Sequence, residues 1–374
     1  MILFSVLTTL LYSFLIGRFA YGFDNVKLFD LDNTPPETKF SIIIPFRNEA
    51  ENLPDLLKSI AKLNYPKQLF EIILINDNSY DNSVEIIQKH IKNKTINLSI
   101  IQNKRTTNAP KKDAITTAIN HAKNEWIITT DADCILPKNW LNSFNTYIKK
   151  TNALCIVAPV ILNSNTSFLQ QFQLLDFLSL QGATIGAFGI KKPFLCNGAN
   201  FAYKKTLFFE LHGFNGNTHI ASGDDIFMLE KILKNTPKQL HYLKSKHAII
   251  TTKPQTSWSL LISQRVRWAA KTSAYNNLFS KLIGISVLTT NALITTSFLL
   301  VVFGFLNFNI LIYTLVIKFN IDYYLIHKTG RFFNQKKTLS SYFLAFIIYP
   351  FFSTYIAFKS IFSSYTWKDR AFNK

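Results

Sequence analysis

Four apolar stretches, one at the start of the chain and three crowded near its end, constrain this sequence more than any other feature. Residues 2–23 carry Arg18 as their single charged side chain, and residues 282–303, 310–326 and 339–358 form the later group. A helix of such length crosses a hydrocarbon core of roughly 30 Å. A cleaved signal peptide would place its positive residue ahead of the apolar run, whereas Arg18 follows it, so residues 1–23 read as a transmembrane anchor. Residues 278–361 read as a C-terminal membrane region of three apolar segments, with a basic tail at 362–374. Composition agrees: 48% hydrophobic residues and 34 Phe, against 17% charged, exceed what a soluble core needs and exclude a disordered or fibrous chain.

Arg18 lies on the inner side of the first stretch, and Lys328, Arg331, Lys336 and Lys337 lie between the third and fourth, while residues 304–309 carry no Lys or Arg. The positive-inside bias puts the central domain and the Lys328 loop in the cytosol. Four crossings would leave Lys368, Arg370 and Lys374 outside, so residues 339–358, with Pro350 at their middle, read either as a crossing or as a re-entrant segment. Lys318 and Asp322, four apart within an apolar stretch, share a helical face and read as an ion pair or a functional pair.

The net charge of +19 fits nucleic acid, anionic lipid or a phosphate-bearing substrate. The basic residues are scattered and no recognition module accompanies them, so nucleic acid is not an expected partner. Cys134, Cys155 and Cys196 lie far apart, which supports neither a disulfide framework nor a zinc site and points to a reducing compartment.

Residues 37–256 have ordinary composition and alternate in period. Ser41-Ile-Ile-Ile-Pro45 and Glu71-Ile-Ile-Leu-Ile75 read as buried parallel strands, and between them Leu53, Leu56, Leu57 and Ile60 fall at helical spacing. Residues 84–91 and 114–122 continue as helices, and 98–102 and 126–130 as strands. The pattern predicts an α/β domain with a Rossmann-like, mostly parallel sheet, whose ligand sits beyond the carboxyl ends of the strands. Those ends carry Phe46-Arg-Asn-Glu49, Asn76-Asp-Asn-Ser79 and Asp131-Ala-Asp133. No Gly-x-Gly-x-x-Gly and no Walker loop is present, which argues against a dinucleotide enzyme or a P-loop ATPase.

Asp131 and Asp133, two apart at a strand end, can face one hard cation, Mg²⁺ or Mn²⁺, able to bridge a diphosphate. Gly223-Asp-Asp225 is a second carboxylate pair before a helical pattern. Asp225 is the candidate general base, while Asp224 reads equally as a helix-capping residue. Gln264-Arg-Val-Arg-Trp268, within a segment at 257–277, puts Gln264, Arg267 and Trp268 on one helical face. They offer a forked cation for phosphate and a flat ring for a headgroup or sugar, or they belong to an interfacial amphipathic helix. Lys111-Lys112 can contact phosphate or stay solvated, and Asn197-Gly-Ala-Asn200 is a loop suited to close backbone approach.

In this order, the motifs resemble those of family-2 inverting glycosyltransferases with a GT-A fold, notably the membrane-bound relatives of cellulose, hyaluronan and ceramide glucosyl synthases. The resemblance runs from about Phe40 to Trp268. It implies a nucleotide-sugar donor, UDP-linked, held by Pro45, Arg47, Glu49, Asp77, Lys112 and Asp131. Asn76 stands where the family more often has Asp, leaving Asp77 as the uridine contact. The metal falls to Asp131 and Asp133, and the base to Asp225, since Asp224-Asp225 stands where Glu-Asp is common. Gly198, Asn200, Asp224, Gln264, Arg265, Arg267 and Trp268 fall on the acceptor and diphosphate side. Trp367-Lys-Asp-Arg370 resembles a bacterial tail motif, with Asp369 as its departure. The resemblance implies a multi-pass enzyme of a bacterial cytoplasmic membrane, and at most three C-terminal apolar segments, too few to enclose a channel for a growing polymer in one chain, favour addition of one sugar to a lipid or lipid-linked acceptor at the cytosolic face. The alternatives are a processive polysaccharide synthase, a nucleotide-sugar sensor and a nucleotidyltransferase, the last lacking its Gly-rich phosphate loop here.

Overall fold

The structure is a computed structural model that describes residues 2–92, 97–164, 167–362, 365–368 and 370–372, so Asp369 and Lys374 lie outside the described residues. The chain forms two compact units, one of Met1–Val26, Leu162–Leu195 and Pro254–Lys374, the other of Lys27–Ile161 and Cys196–Lys253.

The second unit is built on β1 (Phe40–Phe46), β2 (Phe70–Asn76), β3 (Leu98–Gln102), β4 (Trp126–Thr129), β5 (Cys155–Val157), β7 (Phe201–Lys204) and β8 (Leu240–Tyr242). They form one sheet in the order β3-β2-β1-β4-β7-β5-β8, while β6 (Val160–Leu162) and β9 (Ile250–Thr252) make a separate two-stranded sheet. β1 pairs in parallel with β2 from Phe40↔Phe70 to Phe46↔Asn76, and with β4 from Phe40↔Trp126 to Ile43↔Thr129. Ile42, Ile43, Ile44 and Ile72 to Ile75 are all buried, as strands covered on both faces require. The Leu53–Ala61, Ser83–Lys92 and Pro110–His121 helices connect the parallel strands. Leu53, Leu56, Leu57 and Ile60 bury the stripe that their spacing predicts. β7 runs antiparallel to both β4 and β5, making a mixed sheet. Strand order turns back between β1 and β4, and such a switch point opens a crevice at the carboxyl ends.

The first unit is helical. The Ile2–Asn25, Leu278–Val302 and Phe308–Phe332 helices and the stretch ending at Phe362 are long and apolar enough to cross a membrane. Of residues 339–358, those from 342 on lie in a continuous helix, Tyr342–Phe362, that runs through Pro350, and 339–341 end the 3-10 turn Lys336–Ser341 that leads into it. Phe308–Phe332 extends past the expected 326 because the polar end of this helix finds partners: Lys328 donates to the Ala20 carbonyl at 3.2 Å and pairs with Asp24.

One long helix of this unit, Phe168–Gly189, was not evident from periodicity, since Gln and Asp interrupt its apolar residues on every side. It packs backbone to backbone on Ile2–Asn25. A Cβ on Gly186 would lie 2.2 Å from the Phe19 carbonyl oxygen, and one on Gly189 1.8 Å from that of Gly22. Such approach is how helices gain contact where no hydrophobic force drives them together. Lys318, 1% exposed, pairs with Asp322 at 2.5 Å, and Asp322 also accepts from the Tyr12 hydroxyl at 2.6 Å. The expected pair is thus an ion pair, closed by a third residue.

Candidate functional site

The loops after β1 and β2 lock together through short polar side chains. Asn48 and Asn78 adopt positive φ angles of 52° and 58°, which Asn tolerates better than branched residues. The Asn48 amide oxygen accepts from Tyr80 N at 3.0 Å, Glu49 N donates to Ser83 Oγ at 2.8 Å, and Ala50 N donates to Asp81 Oδ2 at 3.0 Å. Asn76 accepts from Ser79 N at 2.9 Å, a bond that a carboxylate would make equally well. Arg47 donates to the Asp77 carbonyl at 3.0 Å and lies over the Tyr80 ring, 5.5 Å from its centroid. Pro45, within β1, pairs with Ile75 in register.

Asp77 follows directly, with its carboxylate in a cationic setting. Arg105 reaches it with Nε at 2.8 Å and Nη2 at 3.1 Å, and Asn103 donates at 2.7 Å. Residues 103 and 105 sit just past β3, a third strand end, and no motif in the chain marks them. The signal was its position alone.

The acid cluster lies at the end of β4. Lys111, in the first turn of Pro110–His121, sets its ammonium 2.8 Å from Asp131 Oδ1 and 3.4 Å from Asp224 Oδ2. Burial alone would push Lys111 down, but Asp131 and Asp224 outweigh it and hold the group above the ordinary lysine value. Gly198 completes the cluster: its N–H donates to Asp225 Oδ2 at 3.1 Å, and a Cβ there would stand 3.1 Å from Asp224 Oδ2. Asp225 Oδ1 accepts from Ile226 N at 2.8 Å, in the first turn of the Asp224–Asn235 helix, whose N-cap Gly223 has a φ of 82°. Two backbone N–H groups thus hold the Asp225 carboxylate at the N-terminus of this helix.

Asp131 and Asp133 do not continue the strand. Cys134 N donates to the Asp131 carbonyl at 3.2 Å, closing a turn in which Asp131 meets Lys111 and Asp133 accepts from Thr252 Oγ1 at 3.0 Å. The alternation argument for two carboxylates on one side is replaced by this turn. Beside them the buried Cys134 thiol is pushed well up by burial and by Asp133 and Asp131, so it is neutral. Among the described residues no three His, Cys, Asp or Glu groups converge as a metal cage.

Three expected binding residues have structural partners instead. Lys112, 1% exposed, donates to the Asn217 and Ile220 carbonyls at 2.7 and 2.9 Å, anchoring the loop that leads into Gly223. It is its neighbour Lys111 that meets the acids. Asn200, fully buried, accepts from Trp140 Nε1 at 3.0 Å and donates to the Pro159 and Ala248 carbonyls at 2.8 Å each, which holds its loop rather than a ligand. In the helical unit, Gln264 to Trp268 lie on the Trp258–Ala270 helix, where Arg265 is buried and Gln264, Arg267 and Trp268 are half-buried. Arg265 is held by Asp176 of Phe168–Gly189 at 2.8 Å.

Residues 41–234, more than half of the chain, match Glycosyl transferase family 2. This chain belongs to that family. Over 110 residues it is 32% identical to the poly(ribitol-phosphate) β-N-acetylglucosaminyltransferase TarS of Staphylococcus aureus, covering 29% of this chain and 19% of that protein. Over 147 residues it is 32% identical to a poly-β-1,6-N-acetyl-D-glucosamine synthase of Staphylococcus epidermidis, covering 38% and 33%. The chain thus spans a third or less of the length of these curated relatives. Among solved structures, the mannosyltransferase PcManGT of Pyrobaculum calidifontis, in complex with GDP-Man and Mn²⁺, aligns over 92% of this chain and 95% of its own, with a TM-score of 0.56 and 15% identity. That likeness is one of fold, and the α/β unit of this glycosyltransferase is a GT-A domain.

Proposed function

We propose that this glycosyltransferase moves a single sugar, with inversion, from a UDP-sugar to a membrane lipid or lipid-linked acceptor in envelope glycoconjugate synthesis, its catalytic domain facing the cytosol of a bacterial cytoplasmic membrane. The observation that carries the reading is the acid cluster of Asp131, Asp224 and Asp225 around Lys111 and Gly198. It combines a carboxylate fixed by backbone N–H groups, suited to take a proton, with a cation beside a second carboxylate. An undecaprenyl-phosphate 4-deoxy-4-formamido-L-arabinose transferase of Proteus mirabilis, 36% identical over 98 residues (25% of this chain, 29% of that protein), supports a lipid-linked acceptor.

In this reading Asp77, steadied by Arg105 and Asn103, meets the nucleobase, with Pro45, Arg47 and Glu49 flanking it. Asp131 and Asp133 are hard oxygen donors, the two carboxylates that would hold Mg²⁺ or Mn²⁺. A bound ion would neutralise charge on the departing diphosphate. Asp225 accepts the proton of the acceptor hydroxyl while that oxygen bonds to the anomeric carbon and the bond to the diphosphate breaks, so the electron pair leaves with the nucleoside diphosphate. Gly198 N–H keeps the Asp225 carboxylate aimed. Lys111 offsets the charge of Asp131 and Asp224. Gln264, Arg267 and Trp268 serve the diphosphate and the acceptor, as their motif implies.

The test is incubation of the full-length protein in native-lipid membranes with a panel of UDP- and GDP-sugars and Mn²⁺ or Mg²⁺, following nucleoside diphosphate release and lipid mass. One sugar mass added to one lipid is expected. A ladder of products would establish the processive reading that the Staphylococcus epidermidis synthase favours, and no release with any donor would overturn the assignment.

A further inference from the structure

Arg265 stands inside the Gln264–Trp268 segment yet turns away from solvent. Its side chain is 8% exposed and that of Asp176 6%. Nε donates to Asp176 Oδ2 at 2.8 Å, and Nη2 lies 2.8 Å from the same oxygen, off the line of a good hydrogen bond. The other carboxylate oxygen accepts from the Tyr349 hydroxyl at 3.1 Å, so both oxygens of Asp176 are held, by different helices. On its outer side the guanidinium stacks 4.2 Å from the centre of the Trp268 ring and donates through Nη1 to Gln264 Oε1.

A buried ion pair is a poor way to gain stability, because an apolar pair of like volume packs at least as well without desolvation. What it does supply is orientation. The Gln264 oxygen is committed to Arg265, which leaves the amide NH₂ as the end offered outward, and the Trp268 ring is fixed in plane by the stacked guanidinium. Both effects fall on the residues to which acceptor contact is assigned.

We infer that Asp176 and Tyr349 are positioning residues that, through Arg265, set the Gln264 amide and the Trp268 ring for the acceptor. The inference rests on the proposed role of the Gln264–Trp268 segment. Lys318 extends the arrangement: its ammonium lies 5.8 Å from the Tyr349 ring, so the residue that steadies Asp176 also packs on the buried Lys318–Asp322 pair.

The experiment uses the full-length protein in lipid nanodiscs with Asp176→Asn, Asp176→Glu and Tyr349→Phe. Acrylamide quenching of Trp268 is isolated by subtracting the same background carrying Trp268→Phe. UDP affinity is measured by calorimetry, and transfer from UDP-N-acetylglucosamine or GDP-mannose is measured against a bacterial polar-lipid extract. In Asp176→Asn, Trp268 quenching is expected to rise about twofold and the KM for the lipid extract about tenfold, the size usual for lost orienting partners. UDP affinity should stay within about twofold, Tyr349→Phe should shift the same readouts less, and Asp176→Glu should restore part of the loss. Unchanged Trp268 quenching overturns the inference, as does a fall in UDP affinity in step with the lipid effect, which marks a merely structural residue. If the wild-type protein transfers neither sugar, the proposed function loses its support while the quenching result still decides the positioning role.

Discussion

The α/β unit and the helical unit achieve close packing by opposite means. In the α/β unit large branched side chains do it: Ile42, Ile43 and Ile44 in β1 and Ile72 to Ile75 in β2 are buried, and polar groups are pushed to the strand ends. In the helical unit the backbones themselves touch at Gly22, Gly186 and Gly189, while charge is kept inside as the Lys318–Asp322 and Asp176–Arg265 pairs. Water explains the difference. Where it drives apolar burial, large side chains carry the stability and polar groups can gather at a rim as a site. Where exposed Leu3, Phe14, Leu282 and Phe343 suit a lipid surroundings, apolar burial gains little, and small residues and satisfied polar groups hold helices together.

If the strand-end rim is chemistry rather than scaffold, its residues should affect activity without affecting stability. Asp225→Asn keeps an acceptor for Gly198 N–H, so transfer is expected to fall by about 10²- to 10⁴-fold with UDP binding and melting temperature unchanged. A variant retaining more than about a tenth of wild-type transfer would remove Asp225 from the role of base. Next in size is the buried pair: Lys318→Ala, leaving Asp322 inside without its ammonium, should cost about 3–5 kcal/mol in detergent-micelle unfolding. Lys318→Met with Asp322→Leu should cost clearly less, and equal losses for the two variants would show that the pair adds more than a satisfied charge.

The packing contrast itself can be tested with opposite changes of volume. Ile43→Ala should lose about 2–5 kcal/mol by leaving a cavity in β1. Gly186→Ala should lose about 1–3 kcal/mol by overpacking, because the new methyl meets the Phe19 carbonyl at 2.2 Å. A stabilising Gly186→Ala would mean that helix propensity outweighs the close approach. The smallest effect belongs to Asn76→Asp, expected to change stability by less than about 1 kcal/mol since either side chain accepts from Ser79 N. A larger loss, read from the denaturation midpoint, would show that the amide itself is needed beside Asp77.

Much of the fold was legible in the chain. The two strands before Asn76 and the helix between them follow from an unbroken apolar run and a spacing of three and four, both local properties. The four candidate spans follow from apolar length, and Asp77, Asp131 and Asp225 from their position at strand or helix ends. The Phe168–Gly189 helix was not legible, because its surface is covered by other helices and shows no single apolar stripe. Nor was the division of labour between adjacent lysines, where a single step along the Pro110–His121 helix sends Lys111 to Asp131 and Lys112 to buried carbonyls.

The sequence by itself therefore determined the first four strands, the four apolar spans and the carboxylates at strand or helix ends, since each depends on neighbours a few residues away, whereas the short strands from Cys155 onward are settled by their pairing in the sheet. Only the tertiary structure decided that Arg105 and Asn103 converge on Asp77, that Asn200 is a scaffold residue, and that Asp176 and Tyr349 meet at Arg265. A polar side chain's role depends on the partner that satisfies it, and here those partners lie tens of residues away along the chain.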